Sequence, residues 1–417
     1  MTDMDIQNLY RIFAEHPHIS TDSRKIVPDS IFFALRGTNF DGNRFAAAAL
    51  EQGAAAAVVD DRATYDAHPE LHGRMILCDD SLTALQQLAR EHRRHLNIPI
   101  LAIVGSNGKT TTKELTAAVL ARKYRIHATA GNLNNHIGVP LTLLAMTGAT
   151  ELGVVEMGAS ACGEIALLAS IAAPDYGIIT NIGLSHLEGF GGVEGIRRGK
   201  GELYDWLAAH GGRAFVRRED ETLTAMAAER AGMAAEYYPT SSADGVESNL
   251  AGDYNRFNIA AAVAVGRYFG VAEADMRAAI AEYQPSNNRS QRVVTESNTL
   301  IVDCYNANPS SMEAAIRNFA TEALGERRRR VMILGDMLEL GEWSAQQHSA
   351  VAALAAESGA EVMLCGSNFM TAAPSSLRTF ANRTEIEDYL KTNPVKDSLV
   401  LIKGSRGIGL EHVIPLL

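Results

Sequence analysis

Lys109 stands among residues that could grip a phosphate. Gly105-Ser106-Asn107-Gly108-Lys109-Thr110-Thr111-Thr112 puts two glycines, a lysine and four hydroxyls into eight positions. Glycine lets the backbone come close to an anion, lysine adds a mobile positive charge, and Thr110 offers a hydroxyl to a Mg²⁺. The usual phosphate-loop spacing wants a glycine at position 103, where this chain has Ile103. The context supplies what the spacing lacks, and the stretch reads as an ATP site. Farther on, the apolar run Gly153-Val154-Val155 ends at Glu156, a carboxylate where a Mg²⁺ bridging phosphates would need one.

Other groups are weaker one at a time. Gly131 to Pro140 forms a polar loop dense in amides, among them Asn132 and Asn135. Asparagines favour turns, but their density near a phosphate loop points to substrate contact. Asn255 opens an Ala-rich helix and could present its amide to a base. His186 and Lys200, taken singly, read as a hydrogen-bonded loop histidine and a solvated lysine. Thr21 to Arg24 and Arg36 to Gly42 read as surface turns.

The phosphate loop needs a strand before it and a helix after it. Ile100 to Val104 is apolar and β-branched, and Leu115, Ala118, Val119 and Ala121 follow at helical spacing, the order that aims helix N–H groups at an anion. Around it the chain reads as α/β in three domains. Residues 1–97 form a small N-terminal α/β unit, with strands at 31–35, 56–59 and 75–77, a helix at 43–52 stopped by Gly53, and a helix capped by Ser81. Residues 98–286 form a central P-loop-type parallel sheet. Residues 287–417 form a doubly wound, Rossmann-like sheet whose strands end at Asp303, Asp336, Cys365 and Lys403, at the tips where such sheets bind ligands. Asn97-Ile98-Pro99 and Tyr283 to Asn288 are the linkers.

Composition narrows the classes. A net charge of −11 argues against a nucleic-acid partner. No segment is apolar for long enough to span a bilayer, and the acidic start Met1 to Asp5 lacks a signal-peptide layout. Cys78, Cys162, Cys304 and Cys365 lie far apart without metal spacing, as small buried thiols in a reducing cytoplasm. Arg327 to Arg330 is the single basic run and reads as a helix-end cap in solvent.

Gly105-Ser106-Asn107-Gly108-Lys109-Thr110-Thr111-Thr112 resembles the phosphate loop of the Mur ligases and their folylpolyglutamate synthase relatives. More specific are Gly131 to Pro140, Val155-Glu156-Met157-Gly158-Ala159, His186 to Gly191, Lys200-Gly201-Glu202, Asp303 to Pro309, Leu334 to Gly341 and Lys403 to Arg406. Together they are similar to the branch of that family that adds D-Ala-D-Ala, and they cover nearly the whole chain. The resemblance implies a cytoplasmic, ATP-dependent amide-forming enzyme of peptidoglycan synthesis. It would act as a monomer on small molecules, a UDP-muramoyl-tripeptide and D-Ala-D-Ala, through an acyl phosphate. It further implies roles. Lys109 holds the β/γ-phosphates, Thr110 and Glu156 one Mg²⁺, and His186 and Lys200 a second, with Lys200 carbamoylated by CO₂. Asn255 meets the adenine, and Arg289 and Asp303 the nucleotide. Ser23, Arg24 and the loop from Gly37 to Gly42 take the uridine-diphosphate end, and Asn306 and Asn308 the dipeptide.

Two departures stand out. Tyr254 occupies the place where the family commonly has histidine, and residues 233–252 carry no motif. The Asp-Asn-Pro-Arg signature of the diaminopimelate-adding branch is absent. A phosphate-loop ATPase that merely switches would hydrolyse ATP alone, with no amine site. A site divided between the second and third units implies closure about a hinge.

Overall fold

The computed structural model describes residues 5–285 and 288–417. Met1 to Met4 of the acidic start lie outside the described residues, as do Ser286 and Asn287, where the sequence reading sets its second domain boundary.

Ile100–Val104 is buried at all five positions, as a strand covered on both faces must be. It sits inside a six-stranded parallel sheet in the order Ala234–Tyr238, Arg213–Arg217, Tyr176–Ile179, Ile100–Val104, Leu152–Glu156, Ile126–Ala128. The chain lays strands on both sides of Ile100–Val104, so the cleft beyond its carboxyl end is the switch point of the sheet. The phosphate loop occupies that point and leads into the helix Lys109–Leu120. Against this helix packs Asn255–Tyr268, buried along Ala260, Ala261, Ala262 and Val263, whose short side chains bring the two axes together. At Gly266 a Cβ would lie 2.5 Å from Val119 Cγ1, so the close approach requires glycine.

A second six-stranded sheet runs Gln291–Val294, Asn298–Asp303, Ser398–Lys403, Arg329–Gly335, Glu361–Cys365, Arg378–Phe380, parallel except for its first edge strand. Four short parallel strands, Ile19–Ser20, Ile31–Phe33, Ala56–Val59 and Met75–Leu77, make the N-terminal sheet. Helix Ser81–Leu96 fastens that sheet to the central one. Arg93 Nε donates to the Ala172 carbonyl at 2.9 Å and its Nη2 reaches Asp175 at 3.0 Å.

Several local expectations need correction. The strand foreseen over 31–35 stops at Phe33, because Leu35 donates back to Phe33 and accepts from Gly42, turning the chain into the hairpin Arg36–Gly37/Phe40–Asp41. The helix foreseen over 43–52 is a 3₁₀ turn, Gly42–Phe45, followed by Ala46–Glu51. The cap of the helix Ser81–Leu96 is Asp80, whose carboxylate accepts from Thr83 N–H at 2.6 Å. Ser81 instead turns inward and donates to the Ala34 carbonyl at 2.9 Å. Of the basic run, Arg329 and Arg330 begin a strand. Arg330 does serve a helix end, donating to the Phe319 and Glu322 carbonyls after Pro309–Thr321, but from a half-buried position. The motif-free stretch 233–252 holds the edge strand Ala234–Tyr238. Among the described residues no helix is long and apolar enough to cross a membrane.

Candidate active site

A cleft of about 840 Å³ opens between the carboxyl tips of the central sheet and the C-terminal sheet. Its floor is the phosphate loop. Gly105 has φ +145°, with Thr180 where a Cβ would go, and Gly108 has φ +78°, with Asn258 in the same relation. Both backbone angle and space therefore demand glycine. Gly108 is the N-cap of Lys109–Leu120, so the first N–H groups of that helix face the cleft with the positive end of its dipole. Lys109 folds back onto the loop, donating to the Gly105 carbonyl at 2.7 Å and the Ser106 carbonyl at 3.1 Å. Burial lowers its pKa to about 8; Glu156 pulls upward against this and Arg289 adds to the fall. An entering phosphate would exchange two neutral acceptors for a charged one, a stronger bond for the same ammonium.

Glu156 ends its strand 1% exposed. Oε1 accepts from Asn134 Nδ2 at 2.8 Å, and its backbone N–H donates to Thr129 Oγ1 at 3.0 Å. Oε2 is buried without a partner among the described residues. An orphaned carboxylate oxygen beside Thr110 and a phosphate cradle fits a Mg²⁺, which takes oxygen donors, keeps several waters and leans on substrate phosphates.

His186 adopts φ +51° ahead of the short helix Leu187–Phe190. Its Nδ1 makes an ion pair with Glu339 of the C-terminal sheet's loops, and this contact holds the Glu339 carboxyl below the usual carboxylate range. Lys200 projects from Val193–His210 and is 1% exposed. Its Nζ donates to the Ala159 carbonyl at 3.1 Å and stands 4.8 Å from the Phe190 ring. Burial, then Lys109, lower its pKa to about 7.

The opposite wall belongs to the C-terminal sheet. Asn107, on the phosphate loop, accepts from Asn308 Nδ2 at 2.7 Å and donates to Ser310 Oγ at 2.8 Å. Asp303 receives Lys403 Nζ at 2.6 Å and Ser290 N–H at 3.2 Å. The Arg289 guanidinium lies 3.7 Å from the Tyr305 ring centre. Tyr254 bonds Ser290 at 2.8 Å, which gives the residue that departs from the family pattern a bridging place. Asn255 lines the cleft, yet its amide is engaged at home, donating to the Ala251 carbonyl at 2.6 Å and accepting from Asn258 at 2.8 Å.

Of the residues singled out from sequence, Ser106, Asn107, Gly108, Lys109, Thr110, Thr111, Asn135, Glu156, His186, Asn255, Arg289, Asp303, Asn306 and Asn308 line this one cleft. Gly105 and Lys200 lie directly behind its wall, contacting Lys109 and Ala159. Asn132 is exposed outside the lining; its neighbour Asn134 is the amide that faces Glu156. Ser23 and Arg24 are on the N-terminal unit, away from the cleft, with Arg24 forked onto Asp22 at 2.8 Å. Sequence reasoning gave no individual role to Asn134, Asn181, Asn258, Ser310 and Lys403. Asn134 lay within the amide loop and Lys403 at a strand tip. Asn258 gave no signal beyond its place one helical turn after Asn255.

Comparison with known proteins follows the same outline. Residues 16–93 match the family model described as Mur ligase family, catalytic domain. Residues 103–245 match the Mur ligase middle domain, and residues 288–406 the Mur ligase glutamate ligase domain. The chain is 38% identical to the UDP-N-acetylmuramoyl-tripeptide–D-alanyl-D-alanine ligase of Bacillus subtilis, over 95% of this chain and 92% of that one. It is 33% identical to the protein of the same name from Escherichia coli, again over 95% and 92%. Among solved structures it is similar to MurF from Acinetobacter baumannii, with a TM-score of 0.85, 28% identity and coverage of 98% and 97%.

Proposed function

The chain belongs to the Mur ligase family, and we propose that it joins the carboxylate of UDP-N-acetylmuramoyl-tripeptide to the amine of D-Ala-D-Ala, using ATP. The observation that carries this reading is the buried Glu156 oxygen left open beside the Lys109 loop, in a cleft whose far wall is a second unit. A nucleotide fits one side of that cleft and leaves the other for an acyl acceptor. The γ-phosphoryl group moves to the carboxylate, giving an acyl phosphate and ADP. The amine then attacks, and phosphate leaves from a tetrahedral intermediate. Bringing one anion up to another is an electrostatic and positional task, and each side chain contributes to one half of it.

Lys109 leaves the Gly105 and Ser106 carbonyls for the β/γ-phosphates, steadied by the N–H groups of Gly108 to Thr111, those of Ser106 and Asn107 being given to Asn181. Thr110 and Glu156 would hold one Mg²⁺, with Asn134 orienting the carboxylate, and His186 and Lys200 would serve a second. Mg²⁺ bound there would offset phosphate charge. Carbamoylation of Lys200 suits its surroundings: an amine brought to about 7 is largely neutral near physiological pH, and its attack on CO₂ gives a carbamate and one proton. Asn255 meets the adenine, and Arg289 and Asp303 close on the nucleotide. Ser23, Arg24 and the 37–42 loop take the uridine-diphosphate end. Asn132 and Asn135 face the muramoyl-peptide, and Asn306 and Asn308 the dipeptide. Units 1–97, 98–286 and 287–417 divide this work, in a monomer of the cytoplasm.

The test is phosphate release from ATP and Mg²⁺ with UDP-muramoyl-tripeptide, with and without D-Ala-D-Ala. Release that needs both, with a UDP-pentapeptide product by mass, supports the reading. Release with a single amino acid instead moves the chain to a neighbouring branch, and equal release with neither acceptor makes it an ATPase.

A further inference from the structure

Two non-glycine residues with left-handed backbones face each other across the cleft's outer edge. His186 has φ +51° and Glu339 has φ +63°, conformations that cost free energy and persist where surrounding contacts over-determine them. His186 belongs to the central unit. Glu339 belongs to the loop after the strand Arg329–Gly335, and its carboxylate lies within ion-pair distance of His186 Nδ1. The backbones also meet, Glu188 N–H approaching the Glu339 carbonyl at 3.4 Å. Gly341, two residues on, is so close that a Cβ there would sit 3.1 Å from Glu188 Cβ.

The loop carrying Glu339 is held from behind. Asp336 is buried and accepts from the N–H groups of Asn368 and Phe369, both at 2.9 Å. Met337 N–H donates to His348 Nε2 at 3.0 Å, and Leu338 N–H to Ser405 Oγ at 3.1 Å. Three successive residues are thus anchored before Glu339 projects. Its side chain remains 60% exposed, and a pair this wet adds little stability. What it does fix is orientation. His186 Nδ1 is buried from solvent with the Glu339 carboxylate at contact distance, though not in hydrogen-bond geometry, while the ring lines the cleft.

We propose that Glu339 is a positioning residue: docked from the C-terminal unit, it holds His186 as the Nδ1–H tautomer and leaves Nε2 with its lone pair toward the cleft. A histidine that must offer one nitrogen to a cation or an acidic proton generally has the other bonded to a carboxylate. Here that carboxylate comes from another unit, so the histidine is set for work only while the C-terminal unit is seated. This rests on the reading of His186 as a site residue.

The experiment compares wild type with Glu339→Gln and Glu339→Ala in full-length protein labelled with ¹⁵N-histidine. The His186 ring is identified by its loss in His186→Ala. Wild type shows the Nδ1–H tautomer, and the variants shift toward the Nε2–H form with unchanged melting temperature. In turnover, kcat falls about 10- to 100-fold, the range for losing a carboxylate behind a histidine, with KM for ATP little changed, and Glu339→Asp restores part of the loss. The same tautomer in wild type and Glu339→Gln overturns the proposal and leaves the function standing. Full activity in His186→Ala would instead remove the histidine from the site, and the proposal with it.

Discussion

Lys200 is buried with its Nζ donating to the Ala159 carbonyl, and burial brings its amine to about 7 instead of 10.5. Below pH 7 both folded and unfolded chains carry the proton, and the folded one bears the full penalty of a buried charge. Between about 7 and 10.5 the unfolded chain holds a proton that the folded one has shed, so the unfolding free energy rises with pH across that window. Lys200→Met should flatten the rise in urea unfolding free energy from pH 7 to 10, and abolish turnover at every pH. A variant that keeps the slope would place the titration elsewhere. Asn134 argues similarly from satisfaction. Its amide is the one side-chain hydrogen-bond partner, among the described residues, of a carboxylate whose second oxygen is already open. Asn134→Ala should raise the half-saturating Mg²⁺ concentration in the phosphate-release assay by about tenfold or more, with saturating activity retained in part.

At the scale of elements, the two helix starts that matter are built differently. Gly108 begins Lys109–Leu120 with φ +78° and Asn258 against its Cα. Gly108→Ala should lose about 1–3 kcal/mol of stability from backbone strain alone, and calorimetric titration with a non-hydrolysable ATP analogue should show no binding. Asp80 begins Ser81–Leu96 with a carboxylate cap. Asp80→Ala should cost about 1 kcal/mol in urea unfolding and leave kcat unchanged, since Asp80 is not among the residues that line the cleft. The contrast also explains what was legible beforehand. The phosphate loop and the strand tips at Glu156 and Asp303 write themselves in consecutive residues: a β-branched run, then glycine or a carboxylate. Ser81 misled because serine and aspartate are both good caps and stand side by side, so tertiary contact with Ala34 decided between them. The Asn107 pairs with Asn308 and Ser310 join residues 201 and 203 positions apart, a proximity that no local pattern encodes. Glu339 was hidden likewise, inside a motif that gave no hint of its partner.

The whole molecule is three α/β units: buried arginine and histidine contacts bind the first two, and the third joins the second through polar contacts and an apolar cluster that runs through all three. Arg93 and His92 tie Ser81–Leu96 into the central unit by hydrogen bonds that are largely out of solvent. Between the central and C-terminal units the polar contacts include Asn107 with Asn308 and Ser310, Tyr254 with Ser290, and Asp253 N–H with Asn318 at 3.0 Å. A neutral hydrogen bond contributes about 0.5–1.5 kcal/mol net, so a handful of them gives a docked state that ligands can shift by binding it better than the open one. Ligands that touch both walls have that preference, because Lys109 lies on one wall and Arg289 and Asp303 on the other. Small-angle scattering of the free protein should therefore give a larger radius of gyration than the complex with a non-hydrolysable ATP analogue and UDP-muramoyl-tripeptide. Asn308→Ala combined with Ser310→Ala removes the clasp on Asn107 without touching Lys109 or Glu156. That variant should need more ligand to contract and should lose kcat more than ATP affinity. One unchanged scattering profile for the wild type, free and liganded, would mean that the units are fixed as seen and that the cleft fills without closing.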